Sequence, residues 1–131
     1  MEKRNTKQKA AIREAFLNTN RPLSPDEALE AARLHHRSLG IATVYRNIQN
    51  LLEEKWLQSV EIPGETTRYE VAGKAHHDHF HCNTCGKVFD LGGCMAPVAP
   101  KLPKGFRATG HEIFLYGTCA DCVPRAPRPH P

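Results

Sequence analysis

Four of the chain's five cysteines fall in two pairs, Cys82-x-x-Cys85 and Cys119-x-x-Cys122. A two-residue gap lets both sulfurs of a pair turn toward one ion, so two such pairs suit a tetrahedral zinc site closed by four thiolates. Such a site is structural, because it leaves no position for water or substrate. Reduced buried thiols, or disulfides, are the plainer reading of the same residues. Directly ahead of the first pair runs His76-His77-Asp78-His79-Phe80-His81, with Glu70, Asp90, His111 and Glu112 as further donors. Imidazole and carboxylate together suit Zn, Fe(II), Mn or Ni. Alternate residues of a strand share a face, so His77 and His79 point one way and His76 and Asp78 the other. His81 has no evident partner and is not counted as a ligand. Cys94 is unpaired and stays open between a packed small hydrophobe, a further metal ligand and an oxidisable thiol. A closed metal site beside an open one describes a protein that senses metal or uses it.

The totals bound what can surround these residues. A chain of 131 residues makes one domain or two small ones, and small domains need a metal, a disulfide or a partner for stability. Hydrophobic content of 40% and charge of 24% are those of an ordinary globular protein. No apolar run has membrane-spanning length and the N-terminus is polar, so neither a signal peptide nor an anchor is expected, and the location expected is cytoplasmic. In that setting paired cysteines point to metal rather than disulfides. The net charge of +4 is too modest to establish nucleic-acid binding alone. Its bias is N-terminal, where Lys3, Arg4, Lys7, Lys9 and Arg13 gather, a pattern that a solvated helix face also produces.

The elements that must position these residues divide in two. Asn5 or Thr6 caps a first helix with Ala11, Ile12, Ala15, Phe16 and Leu17 on its apolar positions. Ser24-Pro25-Asp26-Glu27 is a capping box with proline at the first helical position, and Ala28, Leu29, Ala32 and Leu34 continue that helix until Gly40. Thr43 opens a third helix that buries Val44, Ile48, Leu51 and Leu52 and shows Tyr45, Arg46, Asn47, Gln49 and Asn50 on its other face. After Trp56 the period falls to two, and Pro63-Gly64-Glu65-Thr66 turns a hairpin back through Thr67 to Val71. Three helices and a hairpin outline a winged helix-turn-helix, whose third helix enters the DNA major groove. Thr, Tyr and Arg at the start of that helix are suited to bases and phosphates, although such residues are common at helix starts. Strands are expected at 80–82 and 87–91, with two more, bent near Gly110, across 106–118. Prolines at 97, 100 and 103 oppose a long helix there. The Pro-rich end, 124–131, is expected to be disordered.

Taken together these residues resemble the ferric uptake regulator (Fur) family. The resemblance is carried by Gly40-Ile-Ala-Thr-Val-Tyr-Arg46, Arg68-Tyr69-Glu70, His76 to His79, Cys82 to Lys87, Gly105-Phe106 and Tyr116-Gly117-x-Cys119, and it covers roughly residues 5–122. It implies an α+β chain: a winged helix-turn-helix domain over 1–70, a hinge at 71–75, and a small α/β dimerisation domain with the four-cysteine zinc site over 76–123. It further implies a homodimeric repressor on palindromic double-stranded operator DNA, with no membrane and no small-molecule substrate. Carried over by position, Glu70, His77, His79 and Asp90 match the regulatory metal site, for Fe(II) or Zn(II) with Mn(II) as a further candidate. His76, Asp78 and His111 match a second metal site. Thr43, Tyr45 and Arg46 match the base-reading turn, and Lys3 and Arg4 a basic arm.

The departures define the rivals. The family's regulatory site takes a histidine from just before the second helix, where this chain reads Arg21-Pro22-Leu23-Ser24. His35 or His36 would have to replace it, and a surface role suits those two better. The Pro-rich segment stands where a longer helix supplies a further carboxylate, which puts the second site in question. Spacing does not separate iron, zinc and peroxide sensors. A constitutive DNA-binding protein with structural zinc only is the main alternative. A zinc-dependent hydrolase using His77, His79 and Glu112 as base is a weaker one.

Overall fold

The computed structural model describes the backbone of residues 2–93 and 102–123, and side chains from residue 6 onward within those ranges. Cys94, the Pro-rich tail, and the side chains of Lys3 and Arg4 lie outside the described residues. The chain forms two compact units, Met1–Lys74 and Ala75–Pro131.

The first unit opens with α1 (Glu2–Thr19), which starts earlier than a cap at Asn5 or Thr6 predicts. Its Ala11, Ile12, Ala15 and Phe16 are buried, as the 3.6-residue period requires, while Leu17 is half exposed. α2 (Pro25–Ala32) has the expected capping box: Ser24 Oγ accepts from Glu27 N–H at 3.2 Å, and the Glu27 carboxylate accepts from Ser24 N–H at 3.0 Å. The helix does not run on to Leu34. It stops at Ala32, where His35 and His36 N–H both turn back to the Ala32 carbonyl. Leu34 is consequently 84% exposed, and Leu39 fills the core in its place. Arg33 Nε donates to the Leu39 carbonyl at 3.0 Å and fixes that turn.

α3 (Ile41–Glu53) is capped by extended Gly40 rather than by Thr43, and buries Val44, Ile48 and Leu51. It ends in a paired-bond cap in which Trp56 N–H reaches the Leu51 carbonyl (2.9 Å) and Lys55 N–H reaches that of Leu52 (3.0 Å). Lys55 holds the left-handed position of that cap, at φ 62°. The chain thereby enters the hairpin of β1 (Leu57–Val60) and β2 (Arg68–Val71), antiparallel with Leu57 opposite Val71 and Val60 opposite Arg68. Leu23 bridges Tyr69 through two 2.8 Å backbone bonds, so the segment before α2 extends the hairpin. One buried cluster, from Ala11 in α1 to Leu57 in β1, joins all three helices to the hairpin.

In the second unit β3 (His79–Cys82) lies between antiparallel β4 (Val88–Asp90) and parallel β5 (Phe114–Gly117). Of the two strands expected over 106–118, only the second forms. Its register, His79 opposite Phe114 and Cys82 opposite Gly117, leads directly into the second cysteine pair. Among the described residues no helix is long and apolar enough to cross a membrane.

Candidate metal centres and nucleic-acid face

Two tight turns bring the cysteines together. In the first, Gly86 N–H returns to the Cys82 carbonyl at 2.9 Å and Cys82 N–H reaches the Lys87 carbonyl at 2.9 Å. Gly86 sits at φ 77°, a region that side chains disfavour. In the second, Cys122 and Val123 N–H both bond the Cys119 carbonyl at 3.0 Å. All four sulfurs lie within 4.8 Å of one another, and Cys85 Sγ is 3.8 Å from Cys119 Sγ. Four sulfurs at about 2.3 Å from a tetrahedral zinc stand about 3.8 Å apart, so the cluster fits that ion.

The electrostatics agree with the geometry. The Cys85 N–H, against the opposing effect of burial, and then the Cys119 N–H pull the Cys82 thiol down to about 5. Burial pushes the Cys122 thiol up to about 12 and raises that of Cys85. Four adjacent thiolates repel one another, and a divalent cation removes that repulsion.

His77, His79 and Asp90 form a second group, their donor atoms within 4.8 Å of one another. The register places His79 directly opposite Asp90. Asp90 Oδ1 lies 3.0 Å from His77 Nε2 and 3.3 Å from His79 Nε2, and the two rings meet edge to face at 4.7 Å. His77 Nδ1 donates to the Ala75 carbonyl at 2.8 Å. That bond leaves the Nε2 of a neutral ring with a lone pair aimed at a carboxylate, and a bound cation satisfies both. A backbone bond from the far ring nitrogen is also the usual way a ligating histidine is oriented.

His76, Asp78 and His111 form a third group. Asp78 is fully buried, its Oδ1 is 3.7 Å from His76 Nε2, and the His76 and His111 rings stand 4.7 Å apart. Glu70, on β2 of the first unit, is 2% exposed, accepts from Gln58 Nε2 at 2.9 Å and pairs with Lys74 at 3.7 Å. Glu112 is exposed and belongs to none of these groups. Neither do exposed His35 and half-buried His36 in the turn after α2, where His36 Nδ1 meets Ser38 Oγ at 3.1 Å. The residues before α2 are committed elsewhere: Arg21 pairs with Glu27 at 3.1 Å, Leu23 with Tyr69, and Ser24 with the helix it caps. His81, set aside as a ligand, is 7% exposed and meets Tyr116 edge-on at 5.8 Å.

α3 presents the remaining candidates. Tyr45 is 54% exposed and Arg46 is exposed, its Nη2 within 3.4 Å of Thr43 Oγ1. Buried Asn47 braces the same turn by donating to the Thr43 carbonyl at 2.9 Å. Sequence reasoning missed the part played by Asn47 because an amide on a helix's polar side gives no sign that it turns back to its own backbone.

A winged-helix unit followed by a strand unit built around a four-cysteine cluster defines a metal-binding transcriptional regulator. The chain belongs to the Ferric uptake regulator family, whose model matches residues 1–116, and members of that family are regulators rather than enzymes. It is 32% identical over 122 residues to the ferric uptake regulation protein of Campylobacter jejuni, covering 89% of this chain and 78% of that protein. It is 29% identical over 124 residues to the zinc uptake regulation protein of Mycobacterium tuberculosis, covering 91% and 94%. The solved structure of the Helicobacter pylori ferric uptake regulator shares the fold, with TM-score 0.62 at 24% identity over 88% of this chain and 79% of that one.

Proposed function

We propose that this protein is a metal-responsive, DNA-binding transcriptional repressor that acts as a homodimer on palindromic operators and controls iron or zinc homeostasis or the peroxide response. The observation that carries the reading is the pairing, in one unit, of a closed four-cysteine cluster with a histidine–carboxylate group whose rings and carboxylate already converge. Cys82, Cys85, Cys119 and Cys122 hold structural zinc. His77, His79 and Asp90 hold the regulatory ion, Fe(II) or Zn(II) with Mn(II) as a further candidate, and Glu70 completes the set by its family position. His76, Asp78 and His111 form the second site. When bound, the ion supplies positive charge that neutralises these acids. Thr43, Tyr45 and Arg46 read the operator, and the basic arm of Lys3 and Arg4 holds phosphates. Exposed Leu115 and Tyr116 on β5, with exposed Phe106, support an association surface on the second unit.

Constitutive DNA binding with structural zinc only is the second reading. It is favoured by the commitment of Arg21, Leu23 and Ser24 to structural contacts, and by the absence of a histidine or carboxylate among residues 21–24. Arg46→Ala tests the DNA-binding core common to both. A base contact predicts a loss of about 1–3 kcal/mol on the specific site alone. Equal losses on specific and random duplex would assign Arg46 to phosphate instead.

A further inference from the structure

We propose that Gln49 is a base-reading residue of α3 that takes an adenine through its side-chain amide, a role that rests on the DNA-binding reading above. Gln49 lies three residues after Arg46 and four after Tyr45, so the three share one face of the helix. All three are exposed. The same face begins at exposed Ala42, whose methyl puts no bulk between the helix and a groove floor.

Of the polar neighbours of Gln49, Asn47 is engaged within the helix: it is buried and bonded to the Thr43 carbonyl. Asn50 is exposed and lines a polar cleft with Thr6, Lys9 and Arg46. Among the described residues no side chain bonds the Gln49 amide. A glutamine amide carries one donor and one acceptor side by side, which matches N7 and N6–H of adenine. A helix rises about 1.5 Å per residue, so Gln49 stands about 4.5 Å beyond Arg46, or about one to two base steps of 3.4 Å.

The wing strengthens the assignment. Between Gln58 and Thr67 the hairpin carries Glu61 and Glu65 and no basic residue, and both acids are exposed. A tip of that charge is repelled by phosphate, so the wing adds little to recognition. Sequence discrimination therefore falls on α3, and Thr43, Tyr45 and Arg46 at its start address only a short stretch of each half-site.

The test uses the full chain loaded with Zn(II) and Mn(II). A randomised duplex library is selected with the wild type, and binding is then measured with every base pair of the selected site replaced singly. Gln49→Ala should flatten an A·T preference at one position per half-site, about tenfold in affinity, and leave preferences elsewhere unchanged. Gln49→Glu should shift that position toward cytosine, whose N4–H donates to a carboxylate. Unchanged melting and zinc content establish that the variants are folded. A Gln49→Ala profile identical to wild type, or uniformly weakened, would overturn the assignment; Arg46→Ala still losing specific affinity would show the DNA-binding reading intact. Failure of the wild type to select any sequence would overturn both.

Discussion

The two units are held together by different physics. The first buries Phe16, Ile12, Leu23, Leu39, Val44, Ile48 and Leu51 in one apolar cluster. In the second, Cys82, Val88 and Cys122 are the buried hydrophobics among the described residues, and its other buried groups, Asp78 and His81, are polar. A sheet of short strands with so little apolar interior cannot offset its own ordering entropy through burial. The first unit is therefore a hydrophobic fold that needs no ligand, and the second a fold completed by metal. That division suits the proposed regulator: the unit proposed to read DNA folds without an ion, and the unit proposed to register metal is built from groups that can bind one.

The sharpest break of this contrast is removal of the structural ion. Metal binding in isolated zinc modules contributes about 10–16 kcal/mol, which here is folding energy for the second unit. Chelation, or Cys119→Ser, should abolish its cooperative melting and leave that of the first unit in place, as separate calorimetric transitions would show. A Cys119→Ser protein with full zinc content and unchanged melting would remove the four-cysteine assignment.

The converse break is Leu51→Ala, which empties a fully buried site in the first unit and should cost about 2–5 kcal/mol in denaturant unfolding. Zinc stoichiometry should not change. Next comes Glu27, which caps α2 and joins it to Arg21 and, at 3.4 Å, to Arg68 on β2. Burial alone would raise its carboxyl, but the Ser24 N–H and the two guanidinium groups outweigh it and hold the group below its ordinary 4.5. A depressed folded value stabilises the unit above pH 4.5, and the contribution is lost as pH falls through the folded value. Glu27→Gln should cost about 1–2 kcal/mol at neutral pH, the scale of a lost cap and a half-exposed ion pair, and should remove that part of the acid dependence. The smallest effect expected is a gain. Lys55→Gly relieves a left-handed backbone position worth about 1 kcal/mol, visible as a raised melting temperature of the first unit alone.

What the sequence made legible follows the same division. Groups that act locally could be read directly: the cysteine pairs, the capping box of Ser24 and Glu27, and the hairpin turn. His77 and His79 do gather apart from His76 and Asp78, but residues 76–78 precede β3, so strand alternation is not the cause. Choices between equivalent residues could not. Leu34 and Leu39 are equally apolar, and only the turn that Arg33 holds through the Leu39 carbonyl decides which enters the core. The segment 106–113 alternates well enough to suggest a strand, yet a strand exists only where it finds a partner. The free side of β3 is taken by Phe114–Gly117 in a parallel pairing that no local pattern announces. The reach of Glu27 to Arg68, forty-one residues away, is likewise tertiary.

The most direct test of the central claim is operator binding by the purified protein, titrated with Fe(II), Zn(II) and Mn(II) while bound metal is counted. The account predicts that one of these ions switches binding on only beyond the first equivalent per chain, after the four-cysteine site is filled. Equal binding with structural zinc alone would contradict it, and would make this chain a constitutive DNA-binding protein.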